Sequence, residues 1–387
     1  MTCVLPPELL RLIVDELESP DHFRALRLVS STFNAFATPR AFRTLHVSNR
    51  LNSGANLKNL LLATHIAPHV EELFYCDKWA EDGQDKMLIP DYDPANMSDR
   101  IAGKQLVEAF LMLYNLSSLS SLVMTFYPEF EESRMRHECS SHRTLQSALL
   151  TALSRQTTHL SLKLRAFSIH NLIAFHDPSG LYESTSFITL LSHLTALHIT
   201  TLSDTNPLSG AVHGFPMAKF WGRSIYQAFL PPCQHNLTSL TLWSDQDIGG
   251  AIGGATFLGL FYPHLISLSI QHFDFIARHG RTLTRLEMRR CKLTKVLEEV
   301  DVGRDWADVW VRFSDELNHL HELIVEEEWM DEADELGADD RGQRVAYATV
   351  DEFGWLPSFP RQAREEQDAG ALEKFYATVA ARHLSVV

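Results

Sequence analysis

The chain opens on an apolar–polar alternation of helical period. In LPPELLRLIVDEL (5–17), Leu9, Leu10, Leu12, Ile13, Val14 and Leu17 spread over an arc of about 200° when set at 100° per residue. Arg11, Asp15 and Glu18 fill the remainder, and Glu16 falls inside the apolar arc. A helix resting on one core needs about half that width. The pattern therefore predicts a helix with two neighbours. Pro6 and Pro7 suit its first turn, where missing N–H groups cost nothing, and Glu8 suits its positive end. The helix should reach about Glu18, with Pro20 as a stop. Phe23, Leu26, Leu28 and Val29 form a second apolar group, and Phe33, Phe36 and Ala37 a third, which Pro39 should break. Phe42, Leu45 and Val47 then lead into a strand. Three helices this short bury too little surface to stand alone.

Beyond residue 50 the period changes. A phrase of the form apolar-x-x-Leu-x-apolar recurs as VEELFY (70–75), LSSLVM (119–124), TTHLSL (157–162), LTALHI (194–199), LTSLTL (237–242), LISLSI (265–270), LTRLEM (283–288) and LHELIV (320–325), with Thr157 its one polar exception. Leu-x-apolar is a strand alternation. Helical patterns precede most copies: Leu106, Val107, Phe110, Leu111 and Tyr114 before the second, and Trp306, Val309, Trp310, Phe313 and Leu317 before the last. Helix-then-strand repetition is the signature of a leucine-rich-repeat solenoid. LTRLEMRRCKL (283–293) is its one full copy, with Cys291 at the ladder position. Spacing between the repeat leucines runs from 18 to 49 residues, so the solenoid is expected to be irregular, with insertions at 76–104, 127–142, 166–184 and 201–218. A non-repeat α/β domain is the other fold that gives such alternation.

The N-terminal segment resembles an F-box. The marks are Leu5-Pro6, Glu8-Leu9, Ile13, Leu17, Leu26, Leu28-Val29-Ser30, Phe33, and Phe42 before the strand, over residues 4–47. Phe33 and Phe42 stand where many members carry Trp, and both keep the bulk. The resemblance implies docking onto the Skp-type adaptor of cullin–RING ubiquitin ligases. By position it implies adaptor contacts at Leu5, Pro6, Leu9, Ile13, Leu17, Leu28 and Val29. The bland alternative is that these residues only pack the helices onto the next domain. The expected architecture is thus α/β: a short trihelical F-box (1–50), an irregular leucine-rich-repeat-like helix–strand solenoid (51–354) and a C-terminal capping helix (355–387). The cap reading rests on Leu372, Phe375, Tyr376, Val379 and Leu384 at helical spacing.

In such a solenoid the leucines point inward and the residues between them line the concave face. That row holds Phe74, Lys163, His198, Thr241, Trp243, Ser269, Gln271, Glu287, Arg289, Ile324 and Glu326, and aromatic and Arg side chains there are natural anchors. EEEWMDEADELGADD (326–340) carries nine acids and no base, the pattern of a solvated segment.

Candidate chemistry is sparse. No G-x-S-x-G, H-E-x-x-H or C-x-x-C occurs. His137, Cys139 and His142 lie close together, but their spacing matches no standard metal site. DIGGAIGGATFLG (247–259) lacks the spacing of a dinucleotide or phosphate loop. No cofactor is expected. Acids outnumber bases 49 to 34, and residues 1–50 hold six of the bases against five acids, so the excess lies in the body. That balance argues against a general nucleic-acid binder. Charges interrupt every apolar run, so neither a secretory leader nor a membrane span is expected. The five scattered cysteines fit a reducing compartment, cytoplasmic or nuclear, where the sequons at Asn96, Asn115 and Asn236 would go unused. The expectation is a non-catalytic substrate-recognition subunit of an SCF-type E3 ligase in the ubiquitin conjugation pathway, its partners the Skp-type adaptor and a protein substrate. The alternatives are an interaction scaffold with no role in degradation, or an α/β enzyme whose motifs escape recognition.

Overall fold

The computed structural model describes residues 6–77, 97–126, 141–156, 163–174, 179–202, 220–244, 259–269, 273–289, 291–296, 305–326, 346–351, 354–358 and 362–386. The structure is mixed α/β and divides into two compact units, one built from most of residues 1–194 and the other from most of 195–387.

In the first unit three helices come first: α1 (Pro7–Asp15), α2 (Pro20–Leu26) and α3 (Ser31–Ala41). Pro7 and Pro20 each occupy the first turn of a helix, where proline's fixed φ is already helical. Ser30 caps α3 by accepting the Phe33 N–H at 3.2 Å. Two expectations are corrected. Helix α1 ends at Asp15, with Glu16 and Leu17 in a closing turn. Helix α3 passes through Pro39 to Ala41: Pro39 forfeits one backbone bond near the helix end, while the Phe42 N–H still reaches the Thr38 carbonyl at 3.2 Å. The gain is burial of Ala37 and Ala41 with Val14 and Phe23, against which Leu17, Leu26, Phe33, Phe36 and Phe42 pack.

The chain then runs through β1 (Thr44–Ser48), α4 (Ser53–Leu62), β2 (Glu72–Cys76), α5 (Met97–Phe110), β3 (Ser121–Thr125), α6 (Ser141–Arg155), β4 (Ala166–Ile173) and α7 (Thr185–Ser192). The four strands are parallel and pair in chain order, with Leu45, Leu73, Leu122 and Phe167 in one register. Strand β1 therefore belongs to the sheet, and the trihelical segment runs straight into it. Strand β4 is a third correction. It lies inside the expected insertion at 166–184, on Leu164-x-x-Phe167-x-Ile169, while the phrase at 157–162 falls outside the described residues. Helix α5 also begins within an expected insertion, at Met97. Gly54 lets α4 press against α5, since a Cβ there would collide with the backbone of Gln105 and Leu106.

The second unit continues the rule. It comprises β5 (Ala196–Leu202), a π-helix (Phe220–Phe229), β6 (Ser239–Ser244), β7 (Ser267–Ser269), α8 (Phe273–Arg278), β8 (Arg285–Arg289), β9 (Lys292–Val296), α9 (Trp306–Glu316), β10 (Glu322–Glu326), β11 (Ala346–Asp351), β12 (Gly354–Ser358) and α10 (Gln362–Val386). Strands β5, β6, β7, β8 and β10 are parallel neighbours in that order, with Leu197, Leu240, Leu268, Leu286 and Leu323 in register. Strands β9, β11 and β12 form a separate three-stranded sheet, β11 parallel to β9 and antiparallel to β12. This sheet has no counterpart in the repeating sequence pattern, and β12 lies where only a capping helix is expected.

Helix α10 does cap. Leu372, Phe375 and Val379 are buried, and Phe375 stacks on Trp310 of α9 with ring centroids 6.1 Å apart. The Asp368 carboxylate accepts the Ala307 N–H at 2.8 Å at the start of α9. At its far end Arg382 donates to the Leu317 and Ser314 carbonyls at 2.8 and 2.7 Å. An acid thus meets the positive end of α9 and a base the negative end, the pairing the helix dipole favours.

Candidate functional site

Two surfaces stand out, one on the trihelical segment and one on the sheet faces. Helix α1 turns Val14 into the core, where it is 1% exposed. Its other apolar side chains face outward: Leu9 is 46%, Leu12 57% and Ile13 43% exposed. In the turn after α2, Leu28 is 89% and Val29 66% exposed. Five large aliphatic side chains in solvent within twenty-odd residues is a cost of about 1 kcal/mol or more each relative to burial, and such exposure marks an interaction surface. Pro6 is exposed at the helix cap, and Leu17 is half-buried against the core cluster. Leu5 lies outside the described residues. Leu12 is more exposed than Leu9 or Ile13, and it lies at one edge of the apolar arc, opposite the buried Val14 at the other.

The scaffold behind this surface is held by polar contacts. Arg27 Nε donates to Thr38 Oγ1 at 2.9 Å and Asn34 Oδ1 at 3.1 Å, and its guanidinium lies 4.4 Å from the centre of the Phe42 ring. Arg40 pairs with Asp15 at 2.5 Å, tying α3 to the end of α1. The Arg27–Phe42 contact is a cation–π pair that also buries the arginine stem.

On the sheets, inward Leu, Ile, Met and Phe residues alternate with half-buried ones, as in β2, β3 and β6. In the first unit, His46, Phe74, Val123 and Ser168 stand in one register row, with Ser48, Cys76, Thr125 and His170 in the next. His46 and Phe74 stack at 5.1 Å and 15°. Burial holds the His170 imidazole below its usual pKa, so it is neutral at pH 7. In the second unit, His198, Thr241, Ser269, Glu287 and Ile324 share a row, and Thr200 and Trp243 on one side and Arg289 and Glu326 on the other occupy the next. Arg285 bridges Glu322 at 2.5 Å and Glu287 at 3.4 Å. Phe74, His198, Trp243, Glu287, Arg289 and Glu326 thus all stand on these register rows. Lys163 does not: it is exposed and precedes β4, and Ser168 and His170 are the residues on that strand's outer row. Gln271 lies outside the described residues.

Three described groups with shifted titration are buried. Burial pushes the thiols of Cys233 and Cys291 up to about 12, far from nucleophilic at neutral pH. His279 is fully buried; Nδ1 bonds the Phe275 carbonyl at 2.8 Å and Nε2 accepts the Tyr262 N–H at 3.0 Å. Burial lowers its pKa, the Phe275 hydrogen bond opposes that, and Arg278 adds to it, so it serves as a neutral structural link. No group of three or more metal-capable side chains occurs among the described residues. His142 lies in the first turn of α6, whereas His137, Cys139, 247–258 and 327–340 fall outside the described residues. No described helix is long and apolar enough to cross a membrane. No protein-family model matches this chain, and the search of curated proteins returned no match.

Proposed function

We propose that this chain is a substrate-recognition subunit of an SCF-type ubiquitin ligase, holding a Skp-type adaptor through its N-terminal helices and a protein substrate through its repeat-like sheet face. The reading rests on the resemblance of residues 4–47 to an F-box, and on one structural observation above all. Leu9, Leu12, Ile13, Leu28 and Val29 are exposed while the core of the same three helices is closed by Val14, Phe23, Ala37 and Ala41. A helix segment that is already packed and still presents five large aliphatics fits a docking role better than a core role. The chain performs no chemistry in this account; it supplies proximity, raising the local concentration of a target beside a ubiquitin-charged enzyme.

The test is co-purification of the full chain with a Skp-type adaptor. Wild type associates, and Leu9→Glu/Ile13→Glu or Leu28→Glu abolishes association while the thermal unfolding midpoint stays within a few degrees of wild type. Absence of association by the wild-type chain, or association that survives both variants, overturns the reading.

A further inference from the structure

Strand β1 is an edge of the first unit's sheet, and its main chain shows which way that edge looks. The Glu72 N–H donates to the Arg43 carbonyl at 3.0 Å, so Arg43 and, two residues on, Leu45 turn their peptide groups toward β2. Those of Thr44 and His46 turn the other way, where no described residue bonds them. Ser48 ends the open stretch, since its N–H donates to Ser53 Oγ at 3.1 Å. The strand, TLHVS, carries no acid, Lys, Arg or Pro, the residues that commonly blunt an edge. Strand β10, an edge in the second unit, is guarded: Glu322 and Glu326 stand at its ends, and the Tyr376 hydroxyl of α10 accepts the Val325 N–H at 3.2 Å.

The side chains of β1 are as incompletely covered as its backbone. Leu45 shares a register with Leu73, Leu122 and Phe167; those three are fully buried, whereas Leu45 is half-buried. His46 is exposed and stacks one ring face on Phe74 of β2, so its other face is turned away from β2.

We propose that a short extended segment of a partner protein adds to β1 as a further strand, with an aromatic side chain over the His46 ring and an aliphatic one beside Leu45. Main-chain bonds to Thr44 and His46 hold the segment, and side chains at alternate positions select it, the strand-addition mode of recognition. The aromatic side chain extends the His46–Phe74 stack, a cross-strand pairing that stabilises sheets. The aliphatic one supplies the cover that Leu45 lacks at the end of the repeat array. With no charged side chain on β1, an uncharged segment fits best. The size of the edge decides between a slim segment and a second copy of the chain. Five residues of strand span about 17 Å. Pairing along that strip buries on the order of a few hundred Å², short of the roughly 1,200 Å² that a stable pair of globular chains needs. No residue assigned to adaptor contact takes part, so this inference and the adaptor reading fail separately.

The test titrates the full chain into a fluorescently labelled peptide, Ser-Thr-Val-Tyr-Val-Thr-Ser-Lys, read by anisotropy. Binding is expected with Kd on the order of 100 µM. His46→Pro removes the outward N–H and the ring at a place where an edge proline leaves the ladder to β2 intact. It should weaken binding by at least about tenfold, with the unfolding midpoint within a few degrees of wild type. His46→Ala keeps the edge amide and loses only the stack, so it should weaken binding by about fivefold. The same peptide N-methylated at Val, Tyr and Val cannot pair and should not bind the wild-type chain, a readout that depends on no variant's folding. Absence of binding by wild type, equal binding of the N-methylated peptide, or binding unchanged in His46→Pro overturns the proposal. Dimerisation of wild type that His46→Pro abolishes and the peptide does not compete with assigns the edge to a second copy, and overturns it too.

Discussion

Helices α1 and α9 carry the same kind of sequence and meet opposite fates. Each has a broad apolar side with few charges. In α9 the chain supplies the cover: Trp306, Val309, Trp310 and Phe313 are all buried, and α10 lays Phe375 within 6.3 Å of the Phe313 ring and 6.1 Å of the Trp310 ring. In α1 only Val14 is fully buried, while Leu9, Leu12 and Ile13 meet solvent. Hydrophobic patterning states which side of a helix avoids water. It does not state whether the same chain provides the surface that shelters it. Where the chain provides one, the apolar side is structural; where it does not, the side is available to a partner.

This contrast can be broken by mutation. The largest effect should come from Trp310→Ala, which removes a fully buried ring stacked on Trp306 at 5.1 Å and on Phe375. The expected loss is about 3–5 kcal/mol, read from denaturant unfolding. A loss below about 1 kcal/mol would mean that α10 is not the cover it is taken for. Next comes Asp368→Ala. Asp368 is 2% exposed and accepts the Ala307 N–H, so its removal leaves a buried donor unmatched. That should cost about 1–3 kcal/mol, whereas Asp368→Asn, which keeps an acceptor, should cost less.

Acid should sharpen the contrast further. The His279 pKa is lowered in the folded chain, and so is that of His170. In the unfolded chain both imidazoles take up protons once the pH falls below about 6.5, while the folded forms remain neutral. The unfolded state then binds more protons, so stability is unaffected above that pH and declines as pH is lowered through the histidine range. His279→Gln should flatten that decline, in a series of unfolding midpoints between pH 7 and 5. Charges placed on the outer side of α1 belong at the small end of the scale. Ile13→Glu should change stability by less than about 0.5 kcal/mol, even though Ile13 is as apolar as any residue in α9.

Much of this was legible in the sequence, for physical reasons that differ by element. The helix–strand order and the inward leucines could be read because alternation and 3.6-residue periodicity report burial directly. Strand β4 lies in an expected insertion because LRAFSI carries the same alternation as TTHLSL, and only the pairing of Phe167 with Leu122 marks LRAFSI as a strand. Lys163 lost its place on the sheet for the same reason. Strands β9, β11 and β12 follow no repeat: β11 and β12 form an adjacent antiparallel pair, and β9 joins β11 from about fifty residues earlier in the chain. Pro39 removes one backbone bond of α3, yet the helix runs two residues past it and the Phe42 N–H still bonds the Thr38 carbonyl. On α1 the width of the apolar arc exceeds what the chain itself covers, and Leu12, which no expected contact included, is exposed beside Leu9 and Ile13. The packing of α5 beside α6 has no linear signature: Val107 and Arg143 line one cleft only once the two helices meet.

The most direct measurement is hydrogen–deuterium exchange of the full chain with and without a saturating Skp-type adaptor. The account predicts added protection confined to peptides covering α1 and residues 27–30, with α9 and α10 unchanged. Protection elsewhere with none on α1, or no change at any position, would contradict it.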